Sequence, residues 1–365
     1  MIERRWEPCV EHQGEGTLAF LREFFANPQR KCCLVGGAGF DPRTIACARE
    51  LSSILHERLR GVFLREERPG ASARAIAIAD ANLQQLQALV PMADIDSIEI
   101  LAPDNAVVGG RNAVERIATR TFDDVTDIVV DISALSIGTS FPIVRYLLEL
   151  VQSKQGINLH VVLMSLPDAD EGRLRISNGS PSLVHSFHGN LRLHSASQSA
   201  KLWIPQLSVP KKDALNVIFR GEPGGFDDVC PILPFPSRNP RAADVIVEGF
   251  LQELDQTWSV DANNLVYASE DDPLDVYRTI LEIEELRRPV FEEIGSIVVL
   301  SPVGSKAVAL GALMAALERS LPVVYVEALE YLVPPNVSLN KTEGDLLHVW
   351  LHGEAYPRRV NEVAS

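Results

Sequence analysis

The chain has 365 residues, which exceeds the usual size of one compact domain, so we expect two domains of roughly 150–200 residues each. Hydrophobic residues make up 46% and charged residues 23%, a globular composition that excludes a disordered chain. The net charge of -15 opposes nonspecific attraction to nucleic-acid phosphates, and we expect no direct nucleic-acid binding. A local basic pocket is still compatible with that charge, and Arg43, Arg111, Arg287 and Arg288 are candidates to line one.

Targeting signals and cysteine pairs are not evident. The apolar runs are far shorter than the roughly 20 residues that cross a bilayer, and the opening MIERRWEPCV lacks the apolar core of a signal peptide. We therefore expect a cytoplasmic protein without a membrane span. The five cysteines form an odd set with no CxxC pair, which argues against a disulfide framework and a structural zinc site.

Strand and helix patterns alternate through the first half of the chain. A helical pattern over residues 17–26 precedes the apolar run CCLVGG, and strands then alternate with amphipathic stretches as far as NLHVVLMSLP. Such alternation is the signature of βαβ units and a largely parallel sheet. Residues 1–167 are therefore predicted to form an N-terminal Rossmann-like domain.

A second alternation follows a different kind of segment. Residues 168–212 are polar and contain two short strand-like pieces, LVHSFHGNLRLH and KLWIPQL, which predict a connector bearing a β-hairpin. From the predicted strand LNVIFRG onward, residues 213–365 read as a second Rossmann-like domain, with LLHVWLHG as a candidate last strand. The predicted fold class is α/β, with two successive Rossmann-like doubly wound domains and mainly parallel sheets.

Ligands in open α/β sheets bind outside the carboxyl ends of the strands, so the strand-to-helix turns are the candidate sites. The first is GGAGFDPR, residues 36–43. Gly36, Gly37 and Gly39 allow close approach to the backbone, the helix start favours anions, and Arg43 supplies a charged clamp. The alternative is a tight turn in which Asp41 caps the helix and Arg43 pairs with an acid. The dinucleotide fingerprint is absent, because a proline stands where its third glycine belongs.

The second turn is DISALSIGTS, residues 131–140. Asp131, Ser133 and Thr139 place an acid and hydroxyls before a helix, an arrangement suited to a ribose phosphate or a metal-bound phosphate. In outline the turn resembles the phosphoribosyltransferase loop, although that family usually has two adjacent acids where this chain has Asp131 followed by isoleucine. A helix N-cap cluster explains the same residues.

The third turn is SPVGSK, residues 301–306, followed by the small-residue helix AVALGALMAAL. Ser301 begins the turn, Gly304 permits close approach, Ser305 caps the helix, and Lys306 adds a charge beside the positive helix end.

Over residues 296–327 the sequence resembles CRISPR-associated Rossmann-fold (CARF) domains, in which a Gly-Ser/Thr-Lys turn opens such a helix. Two fused Rossmann-like halves also resemble the SAVED sensing modules of antiphage signalling. The resemblance implies recognition of a nucleotide second messenger, with the output delegated to a partner protein. The alternative is that Lys306 is simply solvated at a tight turn.

Weaker signals complete the set. The loop GEPGGFDD, residues 221–228, repeats the Gly-Phe-Asp of the first turn, or is a mobile surface loop. His185, His188 and His194 cluster, but the first two would face opposite sides of a strand, which is poor metal geometry. His188 with its following glycine, together with GGAGFDPR, resembles sirtuin-like NAD-consuming enzymes, although the expected asparagine-and-aspartate motif is not evident.

Three functions remain open from the sequence. The leading one is a module that binds or senses a nucleotide or phosphorylated ligand and acts with a partner effector, or as a homo-oligomer, in prokaryotic defence signalling. The second is an enzyme acting on a nucleotide or NAD, with Asp131, Asp41 or His188 as acid, base or metal ligand. The third is a structural subunit of a larger complex.

Overall fold

The structure is a computed structural model that describes residues 4–154, 156–165, 174–175, 178–191, 199–222, 224–329, 331–332 and 344–356. Its α-helices are α1 (Glu15–Phe25), α2 (Ala46–Leu55), α3 (Ala73–Leu89), α4 (Gly109–Ala118), α5 (Ile137–Ser153), α6 (Lys212–Gly221), α7 (Ala242–Gly249), α8 (Pro273–Val290) and α9 (Lys306–Arg319). The strands are β1 (Val10–Gln13), β2 (Cys32–Gly37), β3 (Leu59–Glu67), β4 (Ala93–Glu99), β5 (Asp127–Asp131), β6 (Asn158–Ser165), β7 (Leu174–Arg175), β8 (Asn178–Leu183), β9 (Ala200–Pro205), β10 (Asp228–Val229), β11 (Ile232–Pro234), β12 (Val266–Ala268), β13 (Ser296–Ser301), β14 (Val324–Ala328), β15 (Tyr331–Leu332) and β16 (Asp345–His352).

The central sheet has the strand order β1-β16-β6-β5-β2-β3-β4. Strands β6, β5, β2, β3 and β4 are parallel to one another. Strand β16 is antiparallel to β6, and β1 is antiparallel to β16. Every residue of β2, β5 and β6 is buried, as expected for parallel strands covered by helices on both faces. The predicted α/β class with a largely parallel sheet is confirmed.

A smaller parallel sheet has the order β10-β9-β13, and β11 pairs in parallel with β12 beside it. Strand β13 leads into α9, which packs against α8 and is buried along most of its length. Gly311 lies at this helix crossing. A Cβ atom at Gly311 would lie 2.3 Å from the carbonyl oxygen of Pro273, so the crossing requires glycine. In the described part of the chain, none of the helices has the length and apolarity needed to span a membrane.

The last predicted strand joins a different sheet from the one expected. Residues 345–352 form β16, which lies between β6 and β1 of the central sheet rather than in the second sheet. Residues 346–351 are all buried there, so this apolar segment covers the edge of β6. The domain ranges 1–167, 168–212 and 213–365 stay predictions.

The two strand-like pieces of the predicted connector do not pair as a hairpin. In the described part of the first piece, residues 183–191, Leu183 alone is in a strand, at the end of β8, which pairs antiparallel with β14, and residues 184–191 form turns and loop. The second piece forms β9, which lies between β10 and β13 in the second sheet. All six residues of β9 are buried, which suits a central strand and not a connector. Residues 168–173 and 192–198, also assigned to the connector, lie outside the described residues.

The segment LNVIFRG was expected to be a strand and is instead part of helix α6. Its buried residues Ala214, Leu215 and Ile218 follow helical spacing, and short apolar runs are ambiguous between the two periods. The 221–228 loop therefore follows a helix, so it is not the counterpart of the strand-to-helix turn at residues 36–43. Gly224 and Gly225 there have φ of 80° and 71°, a backbone conformation that favours glycine.

Candidate ligand-binding cavity

One cavity of about 800 Å³ lies where the carboxyl ends of the parallel strands of both sheets face each other. Turns following β2, β5 and β13 all contribute to its wall, so the three principal candidate turns meet at one place. Of the predicted site residues, the following line the cavity: Gly39, Asp41, Arg43, Ser133, Gly304, Ser305 and Lys306. The others are not among the lining residues: Gly36, Gly37, Asp131, Thr139 and Ser301. The 221–228 loop does not line it either.

Basic side chains outnumber acidic ones in the cavity wall, although the chain carries a net charge of -15. The basic residues are Arg43, Arg68, Lys211, Arg238 and Lys306, and the acidic residues are Asp41, Glu66 and Glu270. Arg111, Arg287 and Arg288 are elsewhere: they pair with Glu115, Asp228 and Glu284 respectively. Of the four arginines considered from sequence, Arg43 is the one in the cavity wall.

The first turn is held by its own acid. The Asp41 carboxylate accepts a hydrogen bond from the Arg43 backbone N–H at 3.0 Å, which caps the short 3-10 helix Pro42–Ile45. The same carboxylate pairs with the Arg43 guanidinium at 2.8 Å, and both side chains are buried. Asn82 of α3 donates to the Gly39 carbonyl at 2.9 Å and fixes the turn from outside. The cap and ion pair expected under the alternative interpretation are therefore present.

Asp131 and Ser133 form a buried pair at the end of β5. The Asp131 Oδ1 atom accepts from the Ser133 backbone N–H at 2.9 Å and from the Ser133 hydroxyl, while that hydroxyl accepts from the Met164 N–H at 2.8 Å. Burial raises the pKa of Asp131 to about 6, and the nearby Asp41 adds to the rise, whereas the Ser133 hydrogen bonds and Arg43 oppose it. Asp131 thus lies behind Ser133, which faces the cavity.

Asp131→Asn is expected to change how stability depends on pH. The native pKa of about 6 lies above the unfolded value near 3.9, so the native state binds this proton more tightly and stability falls as pH rises between them. Asparagine does not titrate, so this loss of stability is absent in the variant. From pH 4 to pH 8 the unfolding free energy of the variant should therefore rise by roughly 3 kcal/mol relative to that of wild type. Urea unfolding across that range measures it. The exposed control Asp255→Asn should run parallel to wild type, and an equally parallel Asp131→Asn profile would contradict the buried-acid assignment.

The amino end of α5 is occupied by the chain's own carboxylates. Glu66 accepts a hydrogen bond from the Ser136 backbone N–H at 2.9 Å, and Arg68 pairs with Glu66 at 3.0 Å and with Glu327 at 2.8 Å. Burial acts to raise the pKa of Glu66, but Arg68 and Ser136 hold it below its ordinary value. Burial raises the pKa of Glu327 although Arg68 opposes the rise. The Glu66 carboxylate thus takes the place that the sequence suggested for a ligand phosphate at this turn.

The third turn is joined to the second turn by a hydrogen bond. The Ser305 hydroxyl caps α9 by accepting from the Val308 N–H at 3.3 Å, and it donates to the Glu270 carbonyl at 3.2 Å. The Lys306 ammonium donates to the Leu135 carbonyl in the second turn, so it is not merely solvated. Ser301 is fully buried between Trp203 and the Val324 carbonyl and supports the turn from behind.

Several lining residues were not anticipated from sequence. Arg68 directly follows β3, Lys211 follows β9 and Arg238 follows β11, so each lies beyond the carboxyl end of a strand. A position just after a strand is therefore a signal that could have identified these three residues. The sequence prediction was restricted to turns that contain glycine. Aromatic rings also line the cavity: Phe40 and Tyr331 lie 5.6 Å apart between centroids, and Arg68 stacks over Tyr331 at 5.1 Å.

The other candidates for chemistry lie away from the cavity. His185 is in a turn and His188 in a loop after β8, not on a strand, and His194 falls outside the described residues. Among the residues that the structure describes, no group of three or more histidine, cysteine, aspartate or glutamate side chains has a metal-binding arrangement. Cys47 is buried in α2, and burial raises the pKa of its thiol well above the ordinary value.

Comparisons with known proteins give no family assignment. No protein-family model matches the sequence, and no curated protein is significantly similar. Among the solved structures that show a weak likeness are the following two. The DhpI–SAH complex is 13% identical over 45% of this chain and 62% of its own, with a TM-score of 0.22, so this chain matches less than two thirds of its length. A cyclopropane-fatty-acyl-phospholipid synthase-like protein from Lactobacillus casei ATCC 334 is 11% identical over 91% of this chain and 89% of its own, with a TM-score of 0.26. At these TM-scores neither likeness bears on function.

Proposed function

We propose that the chain binds a nucleotide or another phosphorylated small molecule in the cavity between its two sheets. The observation that carries the proposal is the convergence of the turns after β2, β5 and β13 on one cavity. Its volume of about 800 Å³ is within the usual range for small-molecule sites. Its place at the carboxyl ends of parallel strands is where α/β sheets bind ligands.

The chemistry of the wall supports a ligand with both an anionic and a planar part. Lys211 and Lys306 bring positive charge, and the amino end of α9 adjoins the cavity. Arg238 also lines the wall, where it pairs with Asp271 and Asp345. Phe40 and Tyr331 offer aromatic surface to a planar group such as a base. The resemblance of residues 296–327 to CARF domains supports a nucleotide second messenger as the ligand, and a partner effector in prokaryotic defence as the output.

A larger side chain on the cavity wall would fill the cavity and so tests whether the ligand binds there. A Cβ at Gly39 meets nothing within 4 Å, and this glycine does not have a positive φ, so Gly39→Leu should fold normally and project its side chain into the cavity space. A thermal-shift screen of NAD, phosphoribosyl pyrophosphate, nucleoside triphosphates and cyclic oligonucleotides would identify ligands. A ligand at a hundredfold excess over its Kd adds about 2.7 kcal/mol of stability. We expect Gly39→Leu to abolish the shift.

Gly16→Leu is the matched control, because its Cβ is equally unobstructed but it lies on α1, outside the cavity wall. It should retain the full ligand shift. A ligand that stabilises wild type and Gly39→Leu equally would place the binding site elsewhere. Silence across the whole panel in wild type would favour the structural subunit.

An enzyme acting on the bound nucleotide is the second candidate. The observation that favours it is Asp131, whose pKa of about 6 suits acid–base work and whose carboxylate accepts a hydrogen bond from the hydroxyl of the cavity-lining Ser133. Product analysis of every stabilising ligand separates the two functions. An enzyme would convert the ligand, and Ser133→Ala would lose this conversion while it still binds the ligand. A ligand that stays unchanged identifies the binding module.

A further inference from the structure

Three histidines and an aspartate form a continuous row across four neighbouring strands of the central sheet. His12 on β1 contacts His348 on β16 through their Nδ1 atoms at 3.1 Å, and His348 Nε2 lies 2.9 Å from His160 Nδ1 on β6. His160 Nε2 lies 3.3 Å from Asp127 Oδ1 at the start of β5. The row lies on the face of the sheet beneath α1, away from the ligand-binding cavity.

The row is buried except at one end. His348, His160 and Asp127 are at most 1% exposed, whereas His12 is partly exposed. Helix α1 covers the imidazoles with phenyl rings: Phe20 stacks on His12 at 4.3 Å and on His348 at 4.5 Å. Phe24 of the same helix meets the edge of His160.

Few charged groups face the row from the elements packed against it. Arg30, before β2, lies 3.6 Å from Asp127 and also pairs with Glu354, after β16. Cys32 on β2 is adjacent to Asp127, and burial keeps its thiol neutral by raising its pKa well above the ordinary value. The Asn158 amide donates to Asp127 at 2.8 Å. These contacts stabilise the negative charge of Asp127. Burial acts to raise its pKa, but His160 and the neighbouring hydrogen bonds outweigh burial and lower the pKa.

These contacts assign a proton to each ring. An ionised Asp127 only accepts, so His160 carries its proton on Nε2 and accepts on Nδ1. His348 must then donate from Nε2 and accept on Nδ1, and His12 must donate from Nδ1. All three hydrogen bonds point toward Asp127. Only one of His348 and His160 could carry a second proton at a time, because His348 Nε2 and His160 Nδ1 share one hydrogen bond. That charge would be buried beneath Phe20 and Phe24, so the native sheet favours neutral interior rings.

We propose that this row is an acid-sensitive latch that holds β1 and β16 on the central sheet at neutral pH and releases them in mild acid. Released histidines each take up a proton near pH 6.5, whereas burial opposes a charge on His348 or His160 in place. The pKa of His348 is held well below, and that of His160 below, the ordinary value, chiefly by burial. Acid therefore favours the open segment, because the open state binds more protons.

Amide hydrogen exchange at different pH values tests the latch. Two interior rings that take up protons mainly when open should raise the opening equilibrium of β1 and β16 on the order of 50-fold from pH 7 to pH 5.5, beyond the chemical pH effect on exchange. Glu11 on β1 opposes this rise by roughly tenfold, because burial raises its pKa to about 7 in the closed strand, so the full rise is expected in Glu11→Gln and a rise of several-fold in wild type. The amides of β2 and β3 should change much less. In the Glu11→Gln background, His348→Phe keeps a ring beneath Phe20 and leaves one interior histidine, so the rise should drop below about 10-fold. His56→Gln, at an exposed histidine outside the row, should leave it unchanged.

The tautomers give an independent readout that needs no variant. Imidazole ¹⁵N spectra of the native protein at pH 7.5 should show His348 and His160 protonated on Nε2 and His12 on Nδ1. A His348 protonated on Nδ1, or a charged His348, would overturn the assignment. An equal rise of exchange in β1, β16, β2 and β3 would overturn the latch, because it would mean that acid opens the whole sheet and not this segment.

Discussion

Arg68→Met is expected to destabilise the protein by about 3–5 kcal/mol, the largest effect of any single substitution considered. Arg68 is the shared partner of Glu66 and Glu327, all three side chains are largely buried, and methionine would leave two carboxylates without their counter-ion. The Arg68 guanidinium also donates to the Ala328 carbonyl at 3.0 Å, so a backbone acceptor at the end of β14 would lose its partner too. Urea unfolding of the purified variant measures the loss.

A rescue experiment separates the charge effect from lost packing. Adding Glu66→Gln and Glu327→Gln to Arg68→Met removes both buried charges, and we expect at least half of the lost stability to return. Arg111→Met is the matched control, because its ion pair with Glu115 is about 60% or more exposed on both sides, and it should change stability by less than about 0.5 kcal/mol. No recovery in the triple variant would show that the cost lies in packing.

Gly311→Ala should lower stability by at least about 2 kcal/mol, although alanine is the better helix former by about 1 kcal/mol. The added methyl group would lie 2.3 Å from the Pro273 carbonyl oxygen and 2.7 Å from the Val276 Cβ, so α8 and α9 would have to separate. Gly16→Ala is the control within α1: its Cβ meets nothing within 4 Å, and it should gain stability instead. Thermal or urea unfolding of the pair should show opposite signs, and a neutral Gly311→Ala would mean that the crossing adjusts freely.

Much of the fold followed from local patterns. The apolar runs in strands β2, β5 and β6 and the amphipathic helices between them predict a parallel sheet, because such strands need cover on both faces. Strand pairings between segments distant in sequence could not be predicted from local patterns. The pairing of β16 with β6 depends on which edge of the sheet is open, and no local pattern encodes that. Helix α6 was misassigned because the short, largely apolar segment LNVIFRG fits either period.

The candidate site was predicted in position but not in detail. Strand-to-helix turns of a parallel sheet must lie at one edge, so the turns at Gly39, Ser133 and Gly304 were expected at carboxyl ends, and both sheets direct them to the same cavity. The internal partners could not be foreseen, because Glu66, Glu327 and Leu135 reach the site from other elements. The histidine row was missed for the same reason: His12, His160 and His348 are far apart in the chain and meet only through strand pairing.

The placement of β16 has a consequence for biogenesis. Until residues 345–352 leave the ribosome, β6 is the edge of an unfinished sheet, and this edge is an eight-residue, mostly apolar strand with unpaired backbone groups. Such edges are templates for pairing with other chains. Most of the polypeptide must therefore be synthesised before the sheet begun in its first 165 residues can close, a delay that exposes nascent chains to aggregation and slows folding through contacts of long sequence separation.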